Sequence, residues 1–187
     1  MNVDGTKVKT PMLQGRVKGY IEGENFAGFI KSFKGDIYDF VALLPKENGS
    51  EYLNKTLEEI DFSTIYSKQI SCKVDFTMPE FKLEIENNLM SICTNLGIKN
   101  IFSVEAGFTR VIKNNILKVE SISHKAYIEL DRKGKHVAEY TAMETDTSCS
   151  TKPNEFVKEV ILDRPFIFAI LHNKTGLPVF TGILNKR

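Results

Sequence analysis

The first third of the chain alternates in the manner of β-structure. Two apolar-rich runs, 26–33 and 37–44, flank Lys34-Gly35-Asp36. A glycine there can take the positive φ of a tight turn, so the two runs are expected to form a β-hairpin. Weaker strand patterns cover 7–14 and 16–22, punctuated by Pro11, Gly15 and Gly23. The segment PKENGS at 45–50 ends this pattern, and Leu53, Leu57, Ile60 and Ile65 then recur at roughly helical spacing. That spacing predicts two short helices broken near Asp61, with Glu58, Glu59 and Asp61 on the solvated side. Ile70, Cys72, Val74, Phe76 and Met78 alternate with polar residues, the period of a half-buried strand, which makes Cys72 a buried thiol. Ile85, Leu89, Ile92, Cys93 and Leu96 return to helical spacing, with Cys93 on the buried stripe and Gly97 placed as a left-handed stop.

Strand character resumes over 116–131, where Ile122, His124, Ala126, Ile128 and Leu130 share a face. A histidine in that company reads as a hydrogen-bonded structural residue. The pattern then breaks: 135–142 mixes charges with small residues, and ETDTSCSTKPN at 144–154 contains no aliphatic or aromatic side chain. So long a polar stretch inside a domain is uncommon unless it is functional or disordered. Continuous apolar runs at 160–162 and 166–171, around Asp163-Arg164-Pro165, predict strands buried on both faces. Lys174-Thr175-Gly176 turns the chain into a last strand at 179–184, giving a buried carboxy-terminal hairpin. The fold class expected is α+β, rich in strands with a few short helices.

Composition narrows the chemistry. In 187 residues, 42% hydrophobic and 26% charged is a globular balance that excludes collagen, disorder and disulfide scaffolds. The formal charge of +1 supplies no global field toward nucleic acid or an anionic membrane, and neither is expected as a partner. The apolar runs fall far short of the roughly 18 residues a membrane helix needs, and MNVDGTKVKT lacks the pattern of a secretory signal. Cys72, Cys93 and Cys149 show no CxxC spacing, and His124, His136 and His172 are dispersed, so no metal site is assigned. Phosphate-binding loops, the GxSxG elbow and HExxH are absent. No catalytic residue and no cofactor are expected. Asn48, Asn54 and Asn173 open N-x-[ST] triplets, which a chain with this much asparagine shows by chance.

Several segments, taken in order, carry a resemblance. They are DGTKVKTPMLQG near the start, FVALLP at 40–45, MPEFKLE at 78–84, LGIKNIF at 96–102, HKAYIELDRKG at 124–134 and LDRPFIFAILHNKTGLPVFTG at 162–182. They resemble the serpin family, the last two most specifically, and FVALLP with LDRPF looks most like bacterial members. The resemblance implies a serpin fold of which 1–187 is a partial domain, its carboxy-terminal half, with hinge and reactive-centre loop at 132–157. It implies an extracellular inhibitor of serine proteases, itself not an enzyme, that a protease attacks as a suicide substrate. The hinge then comprises Arg132, Lys133, Gly134, Lys135, His136, Val137, Ala138 and Glu139. The attacked bond falls among Ser148, Cys149, Ser150, Thr151, Lys152 and Asn154. Counting forward from Gly134 reaches Ser148-Cys149, whereas counting back from Arg164-Pro165-Phe166 reaches Asn154, so both positions stay open.

Alternation over the hinge puts Lys135, Val137, Glu139, Thr141 and Met143 on one face. Burying that face as an inserted strand buries Glu139, and a buried polar group without a partner costs about 2–7 kcal/mol. The alternative is therefore a non-inhibitory serpin-fold binding or storage protein whose loop is only a cleavable substrate. In serpins the strand that would wall the other side of the insertion slot comes from the half not represented here. Residues 124–130 would then be an open edge, with self-association through it as the consequence.

Overall fold

In the computed structural model, which describes residues 9–110, 117–131 and 156–185, the described residues divide into two units. One comprises Met1–Phe81 with Leu130–Arg187 and the other Lys82–Glu129.

The first unit is organised by a seven-stranded sheet. Its strands are β1 (Met12–Glu22), β2 (Phe26–Ser32), β3 (Tyr38–Pro45), β4 (Gln69–Pro79), β7 (Val157–Ile161), β8 (Phe166–His172) and β9 (Pro178–Leu184). They lie in the order β7-β4-β1-β2-β3-β8-β9. Every neighbouring pair is antiparallel except β4 and β7, which run parallel. The predicted hairpin is β2 with β3. Gly35 (φ 95°) and Asp36 (φ 51°) take its left-handed positions, and Phe33 N–H donates to the Tyr38 carbonyl at 2.9 Å. The two weak strands expected at 7–14 and 16–22 are instead one, β1, which passes through Gly15 without a break. A side chain at Gly15 would come within 2.7 Å of the Phe76 ring opposite, so the glycine is a packing requirement and not a turn.

Because side chains alternate across a sheet, each face of this one has its own core. One face carries Ile21, Phe26, Ile30, Val41, Leu43, Ile167, Ala169 and Leu171. They are packed with Leu53 of helix α1 (Ser50–Glu59) and Ile65 of the 3-10 turn Ile65–Lys68. The two helical segments and their break near Asp61 agree with the sequence pattern; Asp61 accepts from the backbone N–H of Ser63 (2.9 Å) and from its hydroxyl (2.6 Å) at the break. The other face is aromatic. Phe76 stacks on Phe29 (4.6 Å between ring centres), Phe29 meets Phe40 (6.4 Å), Phe40 stacks on Phe168 (6.1 Å), and Phe168 stacks on Phe180 (6.0 Å).

Three burial expectations are corrected here. Cys72 is half-buried because β4 is embedded only from Val74 onward, with Ile70 in solvent. Strand β8 is buried on both faces as expected, but β7 and β9 are the two ends of the sheet and mostly exposed. Glu59 is not a solvated helix carboxylate; it is hydrogen-bonded to the turn between β1 and β2.

In the second unit, β5 (Phe81–Asn88) and β6 (Ser123–Leu130) form a two-stranded sheet. The helix expected around 85–96 is only α2 (Met90–Asn95), because Lys82, Glu84 and Glu86 alternate with Leu83 and Ile85 on a strand. At six residues α2 buries none of its side chains, so Cys93 is half-buried and not part of a core stripe. Gly97 (φ 92°) does stop the helix, its N–H donating to the Thr94 carbonyl and that of Ile98 to Cys93, the paired bonds of a Schellman ending. Short 3-10 turns follow at Asn100–Phe102 and Phe108–Arg110.

Candidate functional site

The stretch the sequence singles out is bracketed by two strands, β6 before it and β7 after it. Arg132, Lys133, Gly134, Lys135, His136, Val137, Ala138 and Glu139, with Ser148, Cys149, Ser150, Thr151, Lys152 and Asn154, lie outside the described residues. Geometry is available for the brackets.

On β6 the predicted alternation holds from Ala126 through Ile128 to Leu130, which are half-buried, while Lys125, Tyr127 and Glu129 are exposed. His124 breaks it and is exposed, so the expected alignment of the histidine with the half-buried apolar face is corrected. Lys125 pairs with Glu86 of β5 at 3.1 Å, the Lys82 ammonium lies 5.3 Å from the centre of the Tyr127 ring, and the Tyr127 hydroxyl donates to Glu129. Among the described residues β6 is paired on one side only, to β5.

β7 is built to hold. Its five residues pair in parallel register with β4, from Lys73 opposite Val157 to Thr77 opposite Ile161. Val160 is buried, and the next residue, Leu162, is fully enclosed while its N–H donates to the Thr77 carbonyl at 2.7 Å. Lys158 places its ammonium 4.9 Å from the centre of the buried Tyr20 ring. Burial, reinforced by Glu22, raises the Tyr20 phenol above its ordinary value, so the ring stays neutral under the cation. A cation–π contact of this kind was not readable from sequence, because Tyr20 and Lys158 meet only once β4 has been placed between their strands.

Beside β7 a cavity of about 380 Å³ is lined by Lys46, Glu159, Asp163 and Arg164 over Leu44 and Val160. Both signs of charge are present. Arg164 lies 3.8 Å from Asp163, and Lys46 lies 3.5 Å from Glu22. His172 shares a hydrogen bond with the Thr175 hydroxyl at 2.9 Å. Among the described residues no group of three or more His, Cys, Asp or Glu converges on a point, and no helix is long and apolar enough to cross a membrane. What the arrangement can do is mechanical: the chain leaving 132–155 enters a strand fixed by a ladder, a buried leucine and an ammonium–ring contact.

The comparisons with known proteins converge. The serpin family model, described as serine protease inhibitor, matches residues 1–186. Antitrypsin of Bombyx mori is 30% identical over 81% of the chain, and Iripin-2 of Ixodes ricinus is 34% identical over 82%; the chain spans 38% of each. The solved structure of tengpin, a thermophilic serpin in its native state, superposes on 100% of the chain with a TM-score of 0.79 at 27% identity, and the chain spans 48% of it. Other relatives come from mammals and wheat, so the expected likeness to bacterial members gains no support. The whole of the fold described above is thus serpin fold, about half of it, and the chain belongs to the serpin family.

Proposed function

We propose that this chain carries the bait of a suicide-substrate inhibitor of serine endopeptidases, with residues 132–157 as the hinge and attacked loop. The observation that carries the reading is that the family match spans this stretch, whose downstream end enters β7, a strand anchored by its parallel pairing and by enclosed Leu162. The relatives named antitrypsin and antichymotrypsin support a protease as partner.

In chemical terms the protease serine adds its oxygen to a carbonyl among Ser148, Cys149, Ser150, Thr151, Lys152 and Asn154. The peptide C–N bond breaks. The proton from the serine hydroxyl passes by way of the protease base to the departing amine, and the acyl group remains on the protease as an ester. The new amine stays on the β7 side and the ester on the β6 side. Trapping follows the family pattern if the acyl-bearing strand inserts into the large sheet before water reaches the ester. The chain spans 38% of the Bombyx mori antitrypsin and of Iripin-2, and we assign completion of the trap to the longer family domain rather than to this chain alone. The protein acts as a substrate-like ligand and not as an enzyme, and its proposed place of action is extracellular.

One feature favours a second reading. Glu139 shares a strand parity with Val137 and Thr141, so an insertion that buries that face buries Glu139 and opposes the trap, which leaves a loop that is cut without consequence. The discriminating experiment expresses the polypeptide encoded by the natural transcript, including any coding sequence upstream of Met1. That product is reacted with trypsin and with subtilisin. A band resisting boiling in SDS, at the summed mass of protease and acyl fragment, is the expected result. Quantitative cleavage with no such band overturns inhibition and leaves the substrate reading.

A further inference from the structure

Asn48-Gly49 is the only Asn-Gly pair in the chain, and it stands between the end of β3 and the start of α1. Asn48 is exposed. Gly49 is the N-cap of α1 and takes φ 131° and ψ 158°, a backbone region that essentially glycine alone occupies. A side chain there would meet only a carbon of the Tyr52 ring, at 3.8 Å, so the backbone conformation and not a lack of space demands the glycine. The fold thus fixes, directly after an exposed asparagine, the residue that least obstructs attack on that asparagine's side chain.

An asparagine amide is open to its own backbone. The nitrogen of the following residue can add to Cγ and close a five-membered ring, which a Cβ on that residue hinders and a glycine does not. Backbone bonding decides whether that nitrogen is held elsewhere. α1 begins at Ser50, and its first ladder bond runs from Leu53 N–H to the Gly49 carbonyl at 3.2 Å, so the Gly49 nitrogen lies ahead of the helix. At Asn54 the next nitrogen is inside α1. After Asn88 it belongs to Leu89, whose N–H donates to the Ile122 carbonyl at 2.8 Å, and after Asn95 to Leu96, whose N–H donates to the Ile92 carbonyl at 3.0 Å. At Asn25 and Asn173 the side-chain amide itself donates, to Glu59 and to the Asp36 carbonyl.

We infer that Asn48 is a site of spontaneous self-modification, with the Gly49 nitrogen as nucleophile and solvent water as the second reactant. The Gly49 nitrogen gives its proton to a solvent base and bonds to Cγ of Asn48. The Cγ–Nδ2 bond breaks, and the nitrogen takes a proton from water and leaves as ammonia. Water then opens the cyclic imide. Opening at Cγ restores an ordinary backbone with an aspartate at 48, whereas opening at the main-chain carbonyl gives isoaspartate, whose backbone is longer by a CH2. Either product adds a negative charge just ahead of α1, where the helix N–H groups favour it. That end of α1 has no side-chain cap, and α1 carries buried Leu53 and Thr56, so the change acts on a helix that covers the core. The inference is independent of whether the protein inhibits anything.

The test ages the full chain in mildly alkaline buffer, native and in urea, and follows the tryptic peptide 47–55, which carries both Asn48 and Asn54. Fragment masses locate the exchange of amide for carboxyl, and labelling by an isoaspartyl methyltransferase reports the isoaspartate. In the native chain Asn48 should convert about tenfold or more faster than Asn54, because the nitrogen next to it lies outside the helical ladder and carries no Cβ neighbour. Urea should accelerate Asn54 far more than Asn48. Asn48→Gln, at an exposed position, should abolish the label at this peptide, and Gly49→Ala should slow its appearance severalfold. The inference is overturned if Asn48 stays intact while Asn54 converts, if conversion at Asn48 requires urea, or if the label persists in Asn48→Gln.

Discussion

Glu59 accepts hydrogen bonds from the backbone N–H of Glu24 (2.8 Å) and of Asn25 (2.9 Å) and from Asn25 Nδ2 (3.0 Å), so one helix carboxylate closes the turn between β1 and β2. Burial acts to raise its pKa, but the bonds from Asn25 and Glu24, helped by Lys68 at 3.5 Å, outweigh that and hold it below its ordinary value. A depressed carboxyl stabilises the fold above its unfolded pKa and loses that contribution as pH falls through the folded one. Glu59→Ala should cost about 1.5–3 kcal/mol at pH 7 by urea denaturation. The loss of stability on acidification below about pH 4.5 should be shallower in the variant. In sequence Glu59 looks like its neighbour Glu58, because its partners are N–H groups of a turn 34 and 35 residues away. Tyr66 gives the opposite pH sign. Its hydroxyl donates to buried Asp39 at 2.8 Å, and burial first, then Asp39, raises the phenol above its ordinary 10.0. The stability this supplies is complete below pH 10 and lost as pH rises beyond it. Tyr66→Phe should cost about 1–3 kcal/mol at pH 7, and the urea midpoint of the variant should fall less between pH 10 and 11 than that of the parent.

Elements were legible where a local period and a local stop coincide. The β2–β3 hairpin, the Gly97 helix stop and the β8–β9 turn each have their signal within a few residues. What misled was exposure. Apolar runs at 160–162 and 179–184 look like core strands, yet only their place at the two ends of the sheet decides how much of each is buried, and strand order is a long-range property. The pattern over 81–96 failed for another reason: Ile85, Leu89 and Ile92 fit a helical period while Phe81, Leu83 and Ile85 fit a strand, and the strand prevails through Asn88. The role of β7 yields a prediction at this scale. Lys158→Ala removes the ammonium over Tyr20 and should cost about 0.5–1 kcal/mol. Amide exchange should quicken over Val157–Ile161 more than over β8; uniform change across both strands would show that Lys158 does not act locally.

For the whole molecule, the serpin resemblance was readable because it rests on segments spread from DGTKVKTPMLQG near the start to 162–182, those at 124–134 and 162–182 being the most specific, and it brought fold, partner class and the bracketed stretch together. The position of the attacked bond was not readable, since forward and backward counting disagree when a loop differs in length from its relatives. Nor was the anchoring of β7, which depends on strands brought together by folding. The central claim is that a serine protease attacks the stretch between β6 and β7 while the flanking strands hold. Limited digestion of the chain with subtilisin, followed by mass mapping of the first fragments, tests it most directly. The account predicts first cuts within 142–155, with the fragment carrying β7, β8 and β9 remaining associated with the rest until denaturant is added. It also predicts no rise in melting temperature after the cut, because among the described residues β6 is paired on one side only and no second strand flanks its other edge. First cuts inside β1 to β4, or a melting temperature that climbs sharply once the stretch is cut, would contradict it.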